Sequence, residues 1–233
     1  MRLTRDLKSL KQELLLRLIG MLLGVLAVGF LGGCAFLEPR NDPTRFYVLT
    51  VRHTAPRHAT DSGLKRLRLG ITTLEVPAYL RTKSMVIRTS KNEIQFADLD
   101  HWAESLEQGI LRVMKESLGA ADNVESVTSS SHDLDSLDYQ VSIRILSCEG
   151  VRGGNGTGSI HFVATWEARP VGTNHTGTKH GRFAAEAGTW NGKEYGQLAE
   201  RLSDAVAGAG AAIAADLPTE ANLSPETRPE THP

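Results

Sequence analysis

The stretch Tyr139-Gln-Val-Ser-Ile-Arg-Ile-Leu146 decides the fold of this chain. Apolar and polar residues alternate along it, which is the period-two pattern of a strand with one buried face. A second alternating stretch, from Ser159 to Ala168, follows the glycine-rich segment Gly153–Gly158. Two such strands joined by a short glycine-rich segment predict a β-hairpin. This hairpin is the expected centre of an antiparallel sheet.

Shorter strands are predicted on both sides of the hairpin. Each is rich in β-branched or aromatic residues, or alternates polar and apolar residues. They cover residues 45–51, 66–76, 84–89, 93–97, 124–127 and 182–190. The segments between them are polar or contain glycine and proline, so we interpret them as loops and turns.

Two amphipathic segments predict the main helices. In the first, apolar residues recur at intervals of three and four from Trp102 to Val113, with Asp98 or Asp100 as the cap and Gly119 as the stop. The second follows Asn191 and Glu194, which have capping-box spacing, and carries apolar residues from Tyr195 to Ile213. The glycines at 208 and 210 would let this helix lie close to a sheet or a partner. The chain is therefore predicted to be α+β, with a mostly antiparallel sheet covered by two main helices.

Near the N-terminus, Leu31-Gly-Gly-Cys34 closes an apolar run and has the form of a lipobox. At a lipobox the cysteine receives a diacylglyceryl group and a signal peptidase cuts before it. Basic residues precede the run, and the uncharged residues 18–30 are fewer than the ~20 that a membrane-spanning helix needs. We therefore predict cleavage between Gly33 and Cys34, with lipid on Cys34. The alternative is an uncleaved N-terminal membrane anchor.

The predicted cleavage site and the predicted elements divide the chain into four parts. We expect a lipoprotein signal peptide at residues 1–33, a lipidated tether at 34–44, one domain at 45–217 and a disordered tail at 218–233. Ala35 and Phe36 follow the cysteine where an Asp would favour inner-membrane retention, so we expect the periplasmic face of the outer membrane. Without the signal peptide the chain is mildly acidic, which argues against nucleic acid as a partner.

Few residues suggest catalytic or metal chemistry. The most enzyme-like stretch is Ser129-Ser-Ser-His-Asp133, but neighbouring side chains in a loop rarely hold the geometry of a catalytic triad. The loop Gly153–Gly158 leads into a strand and lacks the Gly-Lys-Ser/Thr of a phosphate-binding loop. The histidines are scattered and lack the short spacings of a zinc site. We therefore predict no enzymatic activity, no metal and no cofactor.

Other chemically distinctive residues are expected to pack in the core. Cys148 ends a strand and is predicted to be a small buried residue. The tryptophans at 102, 166 and 190 are expected to be core residues, the first on the apolar face of a helix. Pro77, Tyr79 and Leu80 remain open between two interpretations. They form either a partner-contact patch or a loop in which Tyr79 folds back onto the sheet.

Several segments resemble one known family in order and spacing. After the tether comes Thr44-Arg-Phe-Tyr-Val-Leu49, followed by Leu74-Glu-Val-Pro-Ala-Tyr-Leu-Arg81 and Met85-Val-Ile-Arg88. His101-Trp-Ala-Glu104 and Ala164-Thr-Trp166 come later. The chain resembles the ABC-type transport auxiliary lipoproteins of the paraquat-inducible protein C (PqiC/YmbA-like) family over roughly residues 44–217. It departs from the family at Ser105, where a proline is common, and in its longer glycine-rich loop.

The resemblance implies a function. Members of this family are expected to be non-enzymatic outer-membrane accessories of MCE-type systems, which move lipids between the two membranes. The implied partners are the membrane, through lipid on Cys34, and the MCE-domain tunnel protein that crosses the periplasm. A homo-oligomeric ring is one assembly that the resemblance allows. Two alternatives remain: an envelope lipoprotein hydrolase that uses Ser129–Asp133, and a periplasmic lipid carrier, which would need a deep apolar pocket.

Overall fold

The structure is a computed structural model that describes residues 16–23, 42–51, 65–129, 136–154, 156–172, 177–185 and 189–218. The chain divides into two units, Met1–Pro43 and Thr44–Pro233. In the first unit, residues 16–23 form a helix, α1, with exposed side chains. Within the described parts of the chain, no helix has the length and apolar character needed to cross a membrane.

The second unit is built from eight strands and two long helices among its described residues. The strands are β1 (Arg45–Tyr47), β2 (Leu67–Glu75), β3 (Ser84–Ser90), β4 (Glu93–Trp102), β5 (Val124–Thr128), β6 (Tyr139–Arg152), β7 (Gly158–Pro170) and β8 (Lys179–Ala185). The helices are α2 (Leu106–Gly119) and α3 (Tyr195–Asp216). A short 3-10 turn, Ala78–Leu80, lies between β2 and β3.

The centre of the sheet is the predicted hairpin of β6 and β7. These strands pair antiparallel from Tyr139 opposite Pro170 to Arg152 opposite Gly158. The other edge of β6 is shared, because β2 pairs with its first half and β3 with its end. The sheet continues through β8 on one side, through β5 beyond β2, and through β4 and β1 beyond β3.

The α+β class and the mostly antiparallel sheet predicted from sequence are confirmed. Most paired residues lie in the antiparallel ladders β3–β4, β6–β7 and β7–β8. Shorter parallel ladders join β1 to β4, β5 to β2, and both β2 and β3 to β6. The sequence did not indicate these parallel pairings, because alternation reveals which face of a strand is buried but not which strand lies beside it.

The predicted start of the first long helix is wrong. Residues 98–102 continue β4, and α2 begins at Leu106. Its N-cap is Ser105, whose hydroxyl oxygen accepts a hydrogen bond from the backbone N–H of Gln108 at 3.2 Å. Asp100 lies in the strand and accepts a hydrogen bond from the Tyr47 hydroxyl at 2.9 Å. The spacing of apolar residues at three and four gave the wrong start because it spans the end of β4 and the beginning of α2.

The start of α3 also differs from the expected capping box. The helix begins at Tyr195, and its N-cap residue Glu194 makes no side-chain capping bond. Asn191 Oδ1 instead accepts hydrogen bonds from the backbone N–H groups of Lys193 and Glu194, at 3.0 and 2.7 Å. These bonds form a local turn just before the helix. The spacing of Asn191 and Glu194, which predicted a capping box, belongs to this turn.

Strand β8 ends earlier than predicted. It covers Lys179–Ala185, whereas Trp190 forms an isolated bridge with Gly158 at the start of β7. An added Cβ on Gly158 would lie 2.1 Å from the indole nitrogen of Trp190. The glycine therefore allows the ring to pack directly over the backbone of β7, where it is buried.

Both long helices cover one face of the sheet and pack against each other. An added Cβ on Gly210 of α3 would lie 2.8 Å from the Cβ of Ser117 in α2. The Ser117 hydroxyl donates to the backbone oxygen of Ala207, a bond of 2.5 Å that links the helices at this crossing. On the other side of α3, Gly208 lies against the Phe183 ring of β8. The expectation that these glycines permit close approach is confirmed.

Candidate functional site

The predicted lipidation site lies outside the described residues. Gly33 and Cys34 belong to the first unit, of which the structure describes α1 and residues 42–43. Cleavage before Cys34 and acylation of its thiol therefore stay predictions. The alternative of an uncleaved anchor also stays open on structural grounds.

The predicted contact loop packs against the core of its own domain. Leu80 is 1% exposed, Tyr79 is half-buried against the core, and Pro77 is also half-buried. The backbone N–H of Leu80 donates to the Pro77 oxygen at 3.0 Å, and Arg81 Nε donates to the Val76 oxygen at 3.1 Å. This geometry favours the alternative in which Tyr79 folds back onto the sheet. Contact between this loop and a partner stays a prediction.

Tyr79 lies beside a buried carboxylate that the sequence did not single out. Glu149 of β6 is 0% exposed, and its Oε1 accepts a hydrogen bond from Arg88 Nε of β3 at 2.5 Å. His161 of β7 lies opposite Glu149, with Nδ1 at 3.8 Å from the same oxygen. We call Tyr79, Arg88, Glu149 and His161 the Glu149 cluster.

The electrostatics of the Glu149 cluster are dominated by the ion pair between Arg88 and Glu149. Burial, together with the neighbouring Glu149 carboxylate, raises the pKa of Tyr79 above its ordinary value. The hydrogen bond to Glu149 raises the pKa of Arg88, so this guanidinium stays charged. Glu149 Oε2 has no hydrogen-bond partner among the described residues. The cluster therefore holds one strong ion pair, and its phenol remains protonated at neutral pH.

A shallow groove lies between β2 and the first turn of α2. Its volume is about 390 Å³. The lining is mixed polar and apolar and comprises Ile71, Thr72, Thr73, Leu74, Ser105, Glu107, Gln108, Leu111 and Ser129. The groove starts where β5 ends, since Thr128 is the last β5 residue to pair with β2. A lipid carrier would need a deep apolar cavity, and this groove does not have that character.

The loop of the hydrolase alternative is described only at its first residue. Ser129 Oγ lies 3.4 Å from Lys115 Nζ and accepts its hydrogen bond. Residues 130–133 lie outside the described residues, so the hydrolase alternative stays a prediction. The described ranges contain no group of three or more His, Cys, Asp or Glu residues that could hold a metal ion.

The cysteine and the tryptophans are core residues, as predicted. Cys148 is fully buried in β6, and burial raises the pKa of its thiol far above the ordinary value. Trp166 and Trp190 are buried as well. Trp102 is also buried, although it ends β4 and does not lie on a helix. None of these side chains is available for contact with a partner.

In the described part of Thr44–Pro233, four of the five highly exposed large apolar side chains lie on or beside β1 and β4. They are Phe46 on β1, Val48 just past its end, and Phe96 and Leu99 on β4, and we call them the apolar strip. The strip was not predicted, because the sequence pattern places the end of this strand at residue 97 and favours a helix after it. The available signal was the pair Phe46 and Val48, which alternates with Tyr47 and Leu49 along one extended segment.

Comparison with solved structures identifies the same fold elsewhere. The crystal structure of an uncharacterized protein is 18% identical, with a TM-score of 0.55, and the match covers 74% of this chain and 97% of that one. The crystal structure of protein XCC0632 from Xanthomonas campestris is 12% identical, with a TM-score of 0.55, and the match covers 72% of this chain and 92% of that one.

A weaker match is the PelC dodecamer from Paraburkholderia phytofirmans. It is 11% identical with a TM-score of 0.35, and the match covers 63% of this chain and 87% of that one. This similarity is too low to support an argument about assembly. A search of curated proteins finds no match.

The sequence itself matches a family model over most of the second unit. The model describes the ABC-type transport auxiliary lipoprotein component, and the match covers residues 47–214. This range includes the hairpin of β6 and β7, the Glu149 cluster and nearly all of α3. The chain therefore belongs to the family of ABC-type transport auxiliary lipoprotein components.

Proposed function

We propose that this protein is an outer-membrane lipoprotein that serves as a non-enzymatic accessory subunit of an MCE-type lipid-transport system. Acyl chains on Cys34 hold it at the periplasmic face, and the folded domain docks the MCE-domain tunnel protein there. The observation that carries this proposal is the family match over residues 47–214, together with the lipobox at Leu31–Cys34.

Acylation would supply the anchoring force. Each buried methylene of an acyl chain contributes about 0.8 kcal/mol, so several chains attach the protein almost permanently. Anchoring both partners near one membrane raises the effective concentration of their contact. A modest affinity between the domain and the tunnel protein would then suffice, without a large preformed binding pocket.

The shape of the described domain agrees with a docking role. Its interior is filled by apolar side chains of the sheet and of the two helices. The groove beside α2 is shallow and partly polar, which favours protein contact over storage of an acyl chain. A homo-oligomeric ring would multiply the docking contacts around one tunnel outlet.

Co-purification from native membranes tests this proposal. The acylated full-length protein should capture an MCE-domain protein, identified by mass spectrometry after mild detergent extraction. The control is a periplasmic form in which a non-lipoprotein leader replaces residues 1–33 and Cys34 is changed to Ala. It should fold, show a native circular dichroism spectrum and fail to restore transport in cells that lack the protein. Full restoration by this form would contradict the anchoring role.

A further inference from the structure

Among the described residues of the domain, the apolar strip accounts for most of the exposed large apolar side chains. Phe46 is 61% exposed, Val48 and Phe96 are 45% exposed, and Leu99 is 44% exposed. In the described part of Thr44–Pro233, the other large apolar side chain with comparable exposure is Leu146 of β6, at 44%. Scattered exposed apolar residues are ordinary, whereas a concentration on two neighbouring strands indicates a contact surface.

Strand geometry places the members of the strip on one face. In the parallel ladder of β1 and β4, Phe46 lies opposite His101, and their ring centroids are 5.9 Å apart. Leu99 precedes His101 by two residues in β4, so the two share a side of that strand. Phe96 and His101 lie opposite Val86 and Ser84, which are two residues apart on β3, so Phe96 shares this side as well. Val48 lies just past β1, where the exposed Phe46 and Val48 alternate with Tyr47 and the buried Leu49. Tyr47 points the other way, where its hydroxyl binds the buried Asp100.

The buried charge next to the strip is compensated. Asp100 is the buried carboxylate of this region, and it pairs with Arg45 Nε at 3.1 Å. The exposed Asp98 lies between Phe96 and Leu99 on β4, so Arg45 is not an excess cation beside the strip. The contact with lipid therefore rests on the apolar side chains, which suit the boundary between acyl chains and headgroups.

The covalent chain connects this surface closely to the predicted anchor. The strip begins at Phe46, and residues 35–44 separate β1 from Cys34. A connection of this length spans at most about 35 Å when fully extended. With Cys34 acylated, the tether therefore keeps β1 within about 35 Å of the anchor, so β1 can reach the bilayer surface.

We propose that the apolar strip rests on the lipid bilayer, with Phe46 and Leu99 inserted among the headgroups. This inference rests on the proposed acylation of Cys34, which brings the strip to the membrane. Contact of the strip orients the domain on the bilayer, and it leaves the groove beside α2 free for a protein partner.

Tryptophan scanning with brominated lipids tests the proposal. The three native tryptophans are at most 5% exposed, so an indole introduced at position 46 reports on its own surroundings. The acylated protein with Phe46→Trp is reconstituted into vesicles of phosphatidylethanolamine and phosphatidylglycerol, with or without bromine on the acyl chains. We expect the brominated vesicles to quench about half of the added emission, because interfacial apolar groups lie about 5–10 Å into this boundary.

Leu146→Trp is the matched control. Leu146 and Leu99 are equally exposed, but Leu146 lies on β6, outside the strip. Its indole should not be quenched by brominated lipid. Leu99→Trp is the second strip variant, in case Phe46→Trp does not fold, and it should be quenched like Phe46→Trp. Near-ultraviolet circular dichroism establishes that each variant retains its tertiary structure.

The possible outcomes separate the two proposals. Protein that binds the vesicles but shows no bromine quenching at positions 46 and 99 overturns the lipid contact and leaves the anchor intact. A blue shift at these positions without quenching also overturns it, because the strip would then be covered by protein, such as a second copy. Equal quenching at position 146 would overturn it as well. Wild-type protein that fails to associate with vesicles overturns the anchor and the strip together.

Discussion

The two faces of the β6–β7 hairpin bury their side chains by different means. On one face, Cys148 and Phe162 pair across the strands and pack in the apolar core under the helices. On the other, Glu149 and His161 pair across the same strands and belong to a polar cluster. We call these the helix face and the outer face.

The difference between the faces indicates which one is available for function. The helix face is covered by two long helices, which pack closely on each other at Gly210, and the Trp190 ring packs directly on Gly158. On the outer face, Tyr79 lies next to Glu149 and covers it. The margin of this face, on β1 and β4, exposes the apolar strip. The helix face stabilises the fold, whereas the outer face has surface left for a membrane or a partner.

The largest expected effect comes from truncating the helix face. Phe162 is fully buried and contacts the Phe183 ring, with centroids 6.2 Å apart. Phe162→Ala should lower the free energy of unfolding by about 3–5 kcal/mol, measured by urea denaturation. The same change at Phe96 on the strip should cost less than about 1 kcal/mol, because that ring is already half in solvent. Equal losses would contradict the distinction between the two faces.

The Glu149 cluster should show the next largest effect. Arg88→Met removes the partner of a fully buried carboxylate and should destabilise the domain by about 3 kcal/mol, since an uncompensated charge would remain. Adding Glu149→Gln should restore much of that loss, because the double variant carries no buried charge. A double-mutant cycle from denaturant unfolding measures the coupling. Additive losses would show that the pair is not coupled.

A smaller, pH-dependent effect is expected at the start of β6. Asp138 is 4% exposed, and its carboxylate accepts a hydrogen bond from the backbone N–H of Arg68 at 2.8 Å. Burial alone would raise the pKa of Asp138, but this bond and the charges of Lys65 and Arg68 hold that pKa below its ordinary value. Asp138→Asn should therefore cost about 1.5 kcal/mol at pH 7.

The sign of the pH dependence follows from the lowered pKa. The stabilisation by ionised Asp138 is fully present above the pKa of an unfolded aspartate, about 3.9. It is lost as the pH falls through the lower pKa of the folded state. Thermal unfolding from pH 7 to pH 2 should show the wild type and Asp138→Asn converging below about pH 4. A constant difference down to pH 2 would show that ionisation of Asp138 does not contribute.

The smallest predicted effect concerns the first turn of α2. Ser105→Ala removes the hydroxyl that accepts from Gln108 and should lower stability by about 1 kcal/mol. Ser105→Asp retains a capping oxygen and should remain close to the wild type. Both are measured by thermal unfolding. A neutral Ser105→Ala would indicate that the N-terminal turn of α2 is held by helix packing alone.

The sequence was sufficient to predict the hairpin, the burial of Trp166 and the apolar side of α3, because these follow from local periodicity. The Glu149 cluster could not be predicted in the same way. Its residues come from the 3-10 turn and from β3, β6 and β7, and the contact of Arg88 with Glu149 depends on the parallel pairing of Ile87 with Gly150. The apolar strip was not predicted because exposed and buried residues do not alternate regularly along β4. The pairing of β4 with β3 is irregular between Ser84 and Val86, which accompanies this break. Both features depend on pairing between strands that are distant in the sequence, so local patterns could not predict them.

The account depends above all on lipid at Cys34 holding this domain at the membrane. The most direct measurement is the mass of the N-terminal peptide from protein extracted from the outer-membrane fraction. We predict a peptide that begins at Cys34 and carries the mass of a diacylglyceryl group on its sulfur. A peptide that begins upstream of Cys34, with an unmodified thiol, would contradict the account.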